Sequence, residues 1–174
     1  MGFAFSISEN KYLPLNRYLF HADPHKDSWD EGESSAIEVL ELRKKQEAGY
    51  FASSDEPRYD RSQGIRYRVG DVVENTNKGY KGVIIGWDYE AQVPTDLIAE
   101  MYKGHRHWLK QPNYLVAIDT RHRPIPQFAY LGEEILELVS YTRVIHPSLE
   151  NYFEYFDGTR YVPRPWLQKV YPKD

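Results

Sequence analysis

Histidines are the first residues in this chain whose type could do chemistry, because imidazole binds metal ions and transfers protons near neutral pH. His105 and His107 are separated by one residue, and His122 and His146 lie further along the chain. A His-x-His pair on a strand would direct both rings to one face, but this pair falls in a predicted loop with no carboxylate at a recognisable ligand spacing. The pattern favours ordinary surface histidines over a metal site, and we expect no cofactor.

Catalytic motifs are missing from the sequence. It contains neither Gly-x-Ser-x-Gly nor His-Glu-x-x-His, and it has no cysteine. Asp119 and His122 are close in sequence, yet nothing in the pattern identifies a nucleophile for them to activate. We therefore predict that the chain is not an enzyme. An uncharacterised hydrolase is the weakest alternative, since only scattered histidines favour it.

Three glycines in the stretch GYKGVIIGWD, residues 79–88, could form a phosphate-binding loop. Such a loop needs glycines where a strand meets a helix, with a lysine and a hydroxyl at fixed offsets or a G-x-G-x-x-G run. Gly79, Gly82 and Gly86 fit neither spacing. Glycines inside a strand instead indicate bulges, bends or a close approach of two backbones, which a small barrel needs in order to close.

A basic cluster would form if two predicted loops meet, and its aromatic neighbours could stack on nucleic-acid bases. The candidate nucleic-acid-binding residues are Arg106, Lys110, Arg121 and Arg123. The alternative, which we favour, is a solvated loop beside a core strand. Composition also argues against a dedicated DNA-binding protein, because the net charge is −4 and the isoelectric point is about 5.9.

Aromatic residues make up 15% of the chain and are the other candidates for a binding site. An exposed sheet edge can accept an extended peptide as an added strand, and neighbouring aromatics can hold the side chains of that peptide. The candidate peptide-binding residues are Trp87, Trp108, Tyr114 and Tyr130. The same aromatics could instead form the wall of the barrel.

The cellular compartment is predicted from what the sequence lacks. Without cysteine, neither a disulfide framework nor a thiolate zinc site can form. No apolar run reaches the length of a membrane span, and the amino end lacks the layout of a secretory signal. We expect an intracellular protein, with the cytoplasm and organelles such as the mitochondrion or plastid left open. The opening MGFAFS formally matches a myristoylation pattern at Gly2, although the bulky Phe3 follows it.

Helical signals follow a polar amino-terminal arm. Ser35 and Glu38 form a capping box, an ion pair between Glu41 and Lys45 supports the next turn, and Gly49 ends a helix predicted over residues 35–48. Packing of this helix on its own domain is favoured over its presentation to a partner. Residues 52–64 are predicted to be a polar linker.

Beyond the linker, alternating and β-branched residues predict five short strands, over 67–74, 80–87, 113–119, 128–131 and 135–139. They favour a small, strongly bent antiparallel barrel, interrupted by a short helix after Pro94. The spacing of Leu149, Tyr152, Phe153 and Phe156 predicts a helix in the tail. Trp166, Leu167 and Val170 are expected to cover one mouth of the barrel.

Four motifs in this region resemble the YccV-like, or hemimethylated-DNA-binding, domain family. They are VG at 69–70, GYxGVIxGWD at 79–88, QPxYxVxxD at 111–119 and YxxEExL at 130–136. Further motifs resemble the carboxyl extension of eukaryotic relatives: HP at 146–147, YF at 152–153, FxG at 156–158, YVP at 161–163 and YP at 171–172. The resemblance implies a small SH3-like barrel without enzymatic activity, linked to protein quality control.

The sequence therefore divides into an arm, helix and linker (1–65), a YccV-like β-barrel domain (66–140) and a helical carboxyl extension packed on the barrel (141–174). The function predicted is that of a non-enzymatic adaptor, which presents client polypeptides to an ATP-dependent protease or a ubiquitin ligase. The alternative is a module that binds hemimethylated DNA through the basic loops. The predicted partners are accordingly proteins first and nucleic acid second.

Overall fold

The computed structural model describes residues 32–45, 49–54 and 56–174. The predicted arm up to residue 31, with its myristoylation motif at Gly2, lies outside the described residues. So do residues 46–48, which belong to the end of the predicted helix.

Eight short strands and four short helices form the described part of the chain. The strands are β1 (Glu33–Ser35), β2 (Val72–Asn75), β3 (Lys81–Asp88), β4 (Asn113–Ile118), β5 (Gln127–Gly132), β6 (Leu136–Leu138), β7 (Phe153–Phe156) and β8 (Tyr161–Pro163). The helices are α1 (Ala36–Arg43), α2 (Ile98–Met101), α3 (Leu149–Tyr152) and α4 (Pro165–Val170). The short helix predicted after Pro94 is confirmed by α2 and by a 3₁₀ turn at Thr95–Leu97.

Six antiparallel strands form one sheet in the order β1-β5-β4-β3-β2-β6, and β7 pairs with β8 in a second, two-stranded sheet. The mainly β fold predicted from the sequence is confirmed, and its five predicted strands are β2 to β6. The sheet is not a closed barrel, because β1 and β6 form its two edges. β1 was not predicted, since the sequence Glu33–Ser35 is polar and lacks the β-branched and aromatic residues typical of strands.

The glycines of β3 allow close approach between neighbouring backbones, as predicted. A Cβ atom on Gly82 would lie 2.4 Å from Val116 Cγ1 and 2.5 Å from the carbonyl oxygen of Ala117. The pairing of β3 with β4 shifts register between Ile84 and Gly86, which indicates a bulge there. The glycine spacing therefore serves strand packing.

Helix α1 begins as predicted. The backbone N–H of Glu38 donates to Ser35 Oγ at 3.4 Å, so Ser35 is the N-cap. Glu41 pairs with Lys44 at 3.5 Å, one residue before the predicted partner Lys45. Ala36, Val39 and Leu40 are buried in the main core, in agreement with a helix packed on its own domain. Lys44 is the C-cap of the described helix.

The predicted linker begins inside the core. Phe51 and Ala52 are buried and have φ angles of 52° and 59°, a left-handed conformation that is unfavourable for both residues. The ring of Phe51 packs edge-on against Tyr130 at 5.3 Å. The prediction of a polar linker over residues 52–64 is therefore wrong at its start, because tertiary contacts bury Ala52 and Ser53.

The predicted tail helix is also wrong beyond its first turn. Helix α3 ends at Tyr152, and Phe153–Phe156 form β7. The helical spacing of the aromatics was coincidental, since aromatics favour strands equally and Gly158, with φ of 105°, allows a turn into β8. A register shift between Phe153 and Tyr155 buries Phe153 and leaves Tyr155 exposed.

His146 joins the tail to the main sheet. Its Nε2–H donates to the carbonyl oxygen of Gln127 at 3.1 Å, and its Nδ1 accepts from the N–H of Ser148 at 3.1 Å. The side chain is buried, and its ring lies 5.1 Å from that of Phe128. Burial lowers the pKa of His146 to about 4, because a charged imidazolium would lose its hydration.

We predict that His146 makes stability depend on pH. Between pH ~4 and the unfolded pKa of about 6.5 the unfolded chain binds a proton that the folded chain does not, so the free energy of unfolding falls as pH falls, by about 3 kcal/mol from this group. Urea unfolding at several pH values should show a weaker slope in this window for His146→Gln. The exposed His122→Gln is the matched control and should keep the slope; equal slopes in both variants would contradict the prediction.

A second prediction concerns Gly82. Because a methyl group at Gly82 overlaps a backbone oxygen, Gly82→Ala should lower the free energy of unfolding by about 3 kcal/mol. Gly104→Ala is the control, because a Cβ there meets nothing within 4 Å and only its φ of 78° is strained, at a cost of about 1 kcal/mol. Denaturant unfolding measures the free energy of unfolding of Gly82→Ala and of Gly104→Ala. If both variants lose the same amount, the overlap at Gly82 is relieved at little cost and the prediction is contradicted.

Candidate functional site

The predicted peptide-binding aromatics lie in the core. Trp87, Tyr114 and Tyr130 are at most 2% exposed, and Trp108 is 6% exposed. Strands β3, β4 and β5 occupy the middle of the sheet, and nearly all of their side chains are buried on both faces. The barrel-wall alternative therefore describes these four side chains better than an open peptide groove does.

Trp87 is enclosed by the carboxyl-terminal tail. Its indole Nε1–H donates to Asp174 Oδ2 at 2.9 Å, and its backbone N–H donates to the hydroxyl of Tyr171 at 3.2 Å. The rings of Trp87 and Tyr171 are 5.2 Å apart. Two guanidinium groups lie over the indole, those of Arg58 at 5.6 Å and Arg61 at 5.9 Å from the ring centroid.

Asp88, the residue after Trp87, has a buried carboxylate. Arg58 Nη2 lies 2.6 Å from Asp88 Oδ1, while Oδ2 accepts from the N–H of Ala52 at 2.8 Å and from the hydroxyl of Tyr130 at 2.5 Å. Burial raises the pKa of Asp88 above its usual value, and Arg58 opposes that rise. Tyr130 is thus committed to an internal network, and its hydroxyl also accepts from the N–H of Gln92 at 3.1 Å.

Tyr114 and Trp108 hold the turn that follows β5. The hydroxyl of Tyr114 donates to Glu133 and accepts the N–H of Arg66 at 3.1 Å. Burial raises the pKa of Tyr114 well above its usual value. The indole N–H of Trp108 donates to Glu134, and this bond, with one from His107, lowers the pKa of that carboxyl.

Trp108 is the predicted aromatic that borders a surface cleft. The cleft has a volume of about 430 Å³ and lies between the β2–β3 turn, at Asn77, and the insertion that carries Met101 and His105. The ring of His105 stacks on Trp108 with centroids 4.0 Å apart, so the aromatic face is already covered.

The predicted basic residues are largely neutralised by carboxylates of the same chain. Arg121 lies 2.6 Å from Asp119, and Arg123 lies 3.1 Å from Glu33. Lys110 lies 3.6 Å from Glu90, while Arg106 is exposed. Arg123 also lies 4.8 Å from the ring centroid of Tyr80. Three of the four predicted phosphate contacts therefore begin as ion pairs, which weakens a counterion-release mechanism.

Histidines do not combine into a metal site in the described part of the chain. The rings of His105 and His107 are 6.1 Å apart, His107 contacts Glu134, and His105 stacks on Trp108. No group of three His, Cys, Asp or Glu side chains among residues 32–45, 49–54 and 56–174 could hold a metal ion. Within the same residues no helix has the length and apolar character needed to cross a membrane.

Exposed apolar side chains give a different candidate surface. Leu138, Tyr141 and Ile145 are all more than half exposed and lie within eight residues of each other in the chain, at the edge strand β6 and the turn after it. Tyr141 has a φ of 61°, so the turn holds this side chain outward at some conformational cost. We call residues 138–145 the apolar edge. The sequence predicts a strand over residues 135–139 but does not indicate that Leu138 is exposed.

Comparisons with known proteins agree with this fold. The family described as "Hemimethylated DNA-binding protein YccV like" matches residues 65–160, and the chain belongs to that family. It is similar to F-box only protein 21 of Homo sapiens, with 30% identity over 161 residues that cover 86% of this chain and 24% of the relative. The same protein of Mus musculus matches with the same identity and coverage. The chain thus spans about a quarter of these relatives. No solved structure matches the chain significantly.

Breaking the Asp88 network should be costly. Asp88→Asn removes the charge that balances the largely buried Arg58, so we expect the free energy of unfolding to fall by about 3 kcal/mol. The matched control is Glu90→Gln, which removes the exposed pair with Lys110 and should change stability by less than about 1 kcal/mol. Chemical denaturation measures the free energy of unfolding of both variants. A loss for Asp88→Asn no larger than for Glu90→Gln would mean that Arg58 is compensated in another way.

Proposed function

We propose that this chain is a non-enzymatic adaptor module that binds proteins and presents client polypeptides to a ubiquitin ligase or an ATP-dependent protease. The family supports a binding domain, and the name F-box only protein of the relatives supports a link to ubiquitin ligases. The observation that carries the proposal is the apolar edge, three large apolar side chains that remain exposed while the core aromatics are buried.

Strand β6 also offers backbone groups with which an added peptide strand could form hydrogen bonds. The N–H of Val139 donates to the carbonyl oxygen of Val72 at 2.8 Å, so by the alternation of antiparallel pairs the backbone of Leu138 faces away from β2. The carbonyl group of Leu136, which faces the same way, accepts from the hydroxyl of Tyr67 at 2.6 Å. A peptide would therefore pair with the edge over a short length and gain most of its affinity from apolar side chains.

Binding of hemimethylated DNA is the second candidate, and the description of the family is what favours it. The same four cations proposed from the sequence, Arg106, Lys110, Arg121 and Arg123, would carry it. Phosphate binding would have to displace Asp119, Glu33 and Glu90 from three of them. The net charge of −4 adds a general repulsion. These two facts favour the protein-binding function.

The two functions are separated by a pair of variants in the complete chain. Truncation before Ile65 would remove β1 and Phe51 from the core, so point variants are the better choice. Leu138→Ser, Tyr141→Ser and Ile145→Ser together should reduce capture of a ubiquitin-ligase subunit or an ATP-dependent protease from lysate at least about tenfold, as expected for loss of two or three apolar anchors. Tyr59→Ser, which removes an exposed apolar residue outside the apolar edge, is the matched control.

The DNA-binding function is tested by measuring the affinity of the chain for a hemimethylated duplex at two salt concentrations. Replacing Arg106, Lys110, Arg121 and Arg123 with Gln should leave protein capture unchanged. Tight DNA binding that falls steeply with salt and disappears in this variant, together with unchanged capture by the apolar-edge variant, would contradict the adaptor proposal and support the DNA-binding function.

A further inference from the structure

The register of β6 against β2 fixes which groups an added strand would meet. Glu137 lies directly opposite Glu74. The N–H of Val139 donates to the carbonyl oxygen of Val72 at 2.8 Å. Hydrogen-bonded pairs recur at every second residue of an antiparallel ladder, so the backbone groups of Glu137 also face β2. The N–H and C=O groups of Leu138 face away from β2, and they are the groups that a new strand would bond.

The free part of this edge is short. The carbonyl oxygen of Leu136 accepts from the hydroxyl of Tyr67 at 2.6 Å, and its N–H donates to the carbonyl oxygen of Glu133. β6 ends at Leu138. An added strand would therefore exchange backbone hydrogen bonds with Leu138. Its next residue would lie opposite Glu137 in a non-hydrogen-bonded pair, where side chains come closest across two strands.

Two carboxylates share one face of this edge, and we call Glu74 and Glu137 the acidic pair. Residues directly opposite each other on antiparallel strands have side chains on the same face, and like charges in that position repel. Lys81 lies opposite Glu74 on β3 and offsets one of the two charges. Glu137 is exposed, and among the residues that the structure describes it has no ion-pair partner. A cation on an added strand would relieve the repulsion.

The charges around Tyr67, whose hydroxyl bonds to β6, are negative on balance. Burial is the main cause that raises the pKa of Tyr67. The guanidinium of Arg66 opposes that rise, whereas the carboxylates of Glu133, Glu137 and Asp71 add to it. One cation and three anions therefore act on this group, so the surroundings of the edge favour a basic ligand over an acidic one.

We propose that the edge of β6 binds an extended segment of a client protein in which apolar residues alternate with Lys or Arg. This preference rests on the proposed function, because it names the class of peptide that the apolar edge would capture. An apolar residue would pair with Leu138 and share its exposed face. The neighbouring basic residue would lie opposite Glu137, on the face of the acidic pair, whereas an acidic residue there would be repelled.

The test uses the complete chain and the peptide acetyl-Lys-Val-Lys-Val-Lys-amide. The reordered peptide acetyl-Lys-Lys-Val-Val-Lys-amide has the same composition and charge but lacks the alternation, so it controls for general attraction to an acidic protein. Acetyl-Glu-Val-Glu-Val-Glu-amide reverses the charge. The backbone amide resonance of Leu138 in ¹⁵N NMR spectra reports binding, because its N–H gains a hydrogen-bond partner only when a strand is added.

We expect the alternating basic peptide to shift the Leu138 resonance in proportion to the fraction of chain bound. The reordered and acidic peptides should bind at least roughly fivefold more weakly, since each places a wrong side chain on one face. Glu137→Lys should weaken the alternating peptide by a similar factor, with a smaller loss for Glu137→Gln. Glu154→Lys is the matched control and should change nothing, because it makes the same charge change at an exposed glutamate of β7.

The outcomes separate this preference from the adaptor function. No shift at Leu138, equal binding of the alternating and reordered peptides, or an unchanged response with Glu137→Lys would each overturn the preference, even if the apolar-edge variant loses protein capture. Selective, Glu137-dependent peptide binding with unchanged capture would support the preference and contradict the adaptor function. A doubled mass in sedimentation that Leu138→Ser returns to the monomer would assign the edge to a second copy of the chain and also overturn the proposal.

Discussion

Asp88 has been taken out of water, and a carboxylate in that position must find donors from the protein. It finds three, and they come from two parts of the chain: Ala52 and Arg58 lie before the domain, and Tyr130 lies on β5. The arrangement explains why the segment after α1 enters the core instead of remaining a linker. Ala52, whose N–H donates to the carboxylate, has an unfavourable left-handed backbone conformation.

The residue before Asp88, Trp87, connects the sheet to the carboxyl-terminal segment in the same way. Trp87 offers its backbone N–H to Tyr171 and its indole N–H to Asp174, and Gly86 leaves room for the Tyr171 hydroxyl, which would lie 2.6 Å from a Cβ at that position. Three consecutive residues therefore connect the sheet to the segments on both sides of it. The family match ends at residue 160, but Tyr171 and Asp174, which bond to Trp87, lie beyond that limit.

Local signals in the sequence were sufficient for β2 to β6 and for the cap of α1. β-Branched runs, the turn at Asn75–Gly79 and the glycine spacing of β3 are each decided within a few residues, so they could be predicted. The binding residues could not be predicted in the same way. Whether an aromatic faces the core depends on which strands are central, and whether Arg123 is free depends on Glu33, 90 residues earlier. The tail hairpin was missed for a related reason, since one leucine and three aromatics at helical spacing also fit a strand.

The contact between Trp87 and Asp174 has a consequence while the protein is being made. A ribosome releases the chain from its amino end, and 87 residues separate the two partners. At typical elongation rates the nascent β3 waits on the order of ten seconds before its covering segment emerges. During that interval the ring of Trp87 and its indole N–H are exposed to solvent or to a chaperone. Because the contact between Trp87 and Asp174 joins residues far apart in the chain, we expect it to form more slowly than the β2–β3 hairpin.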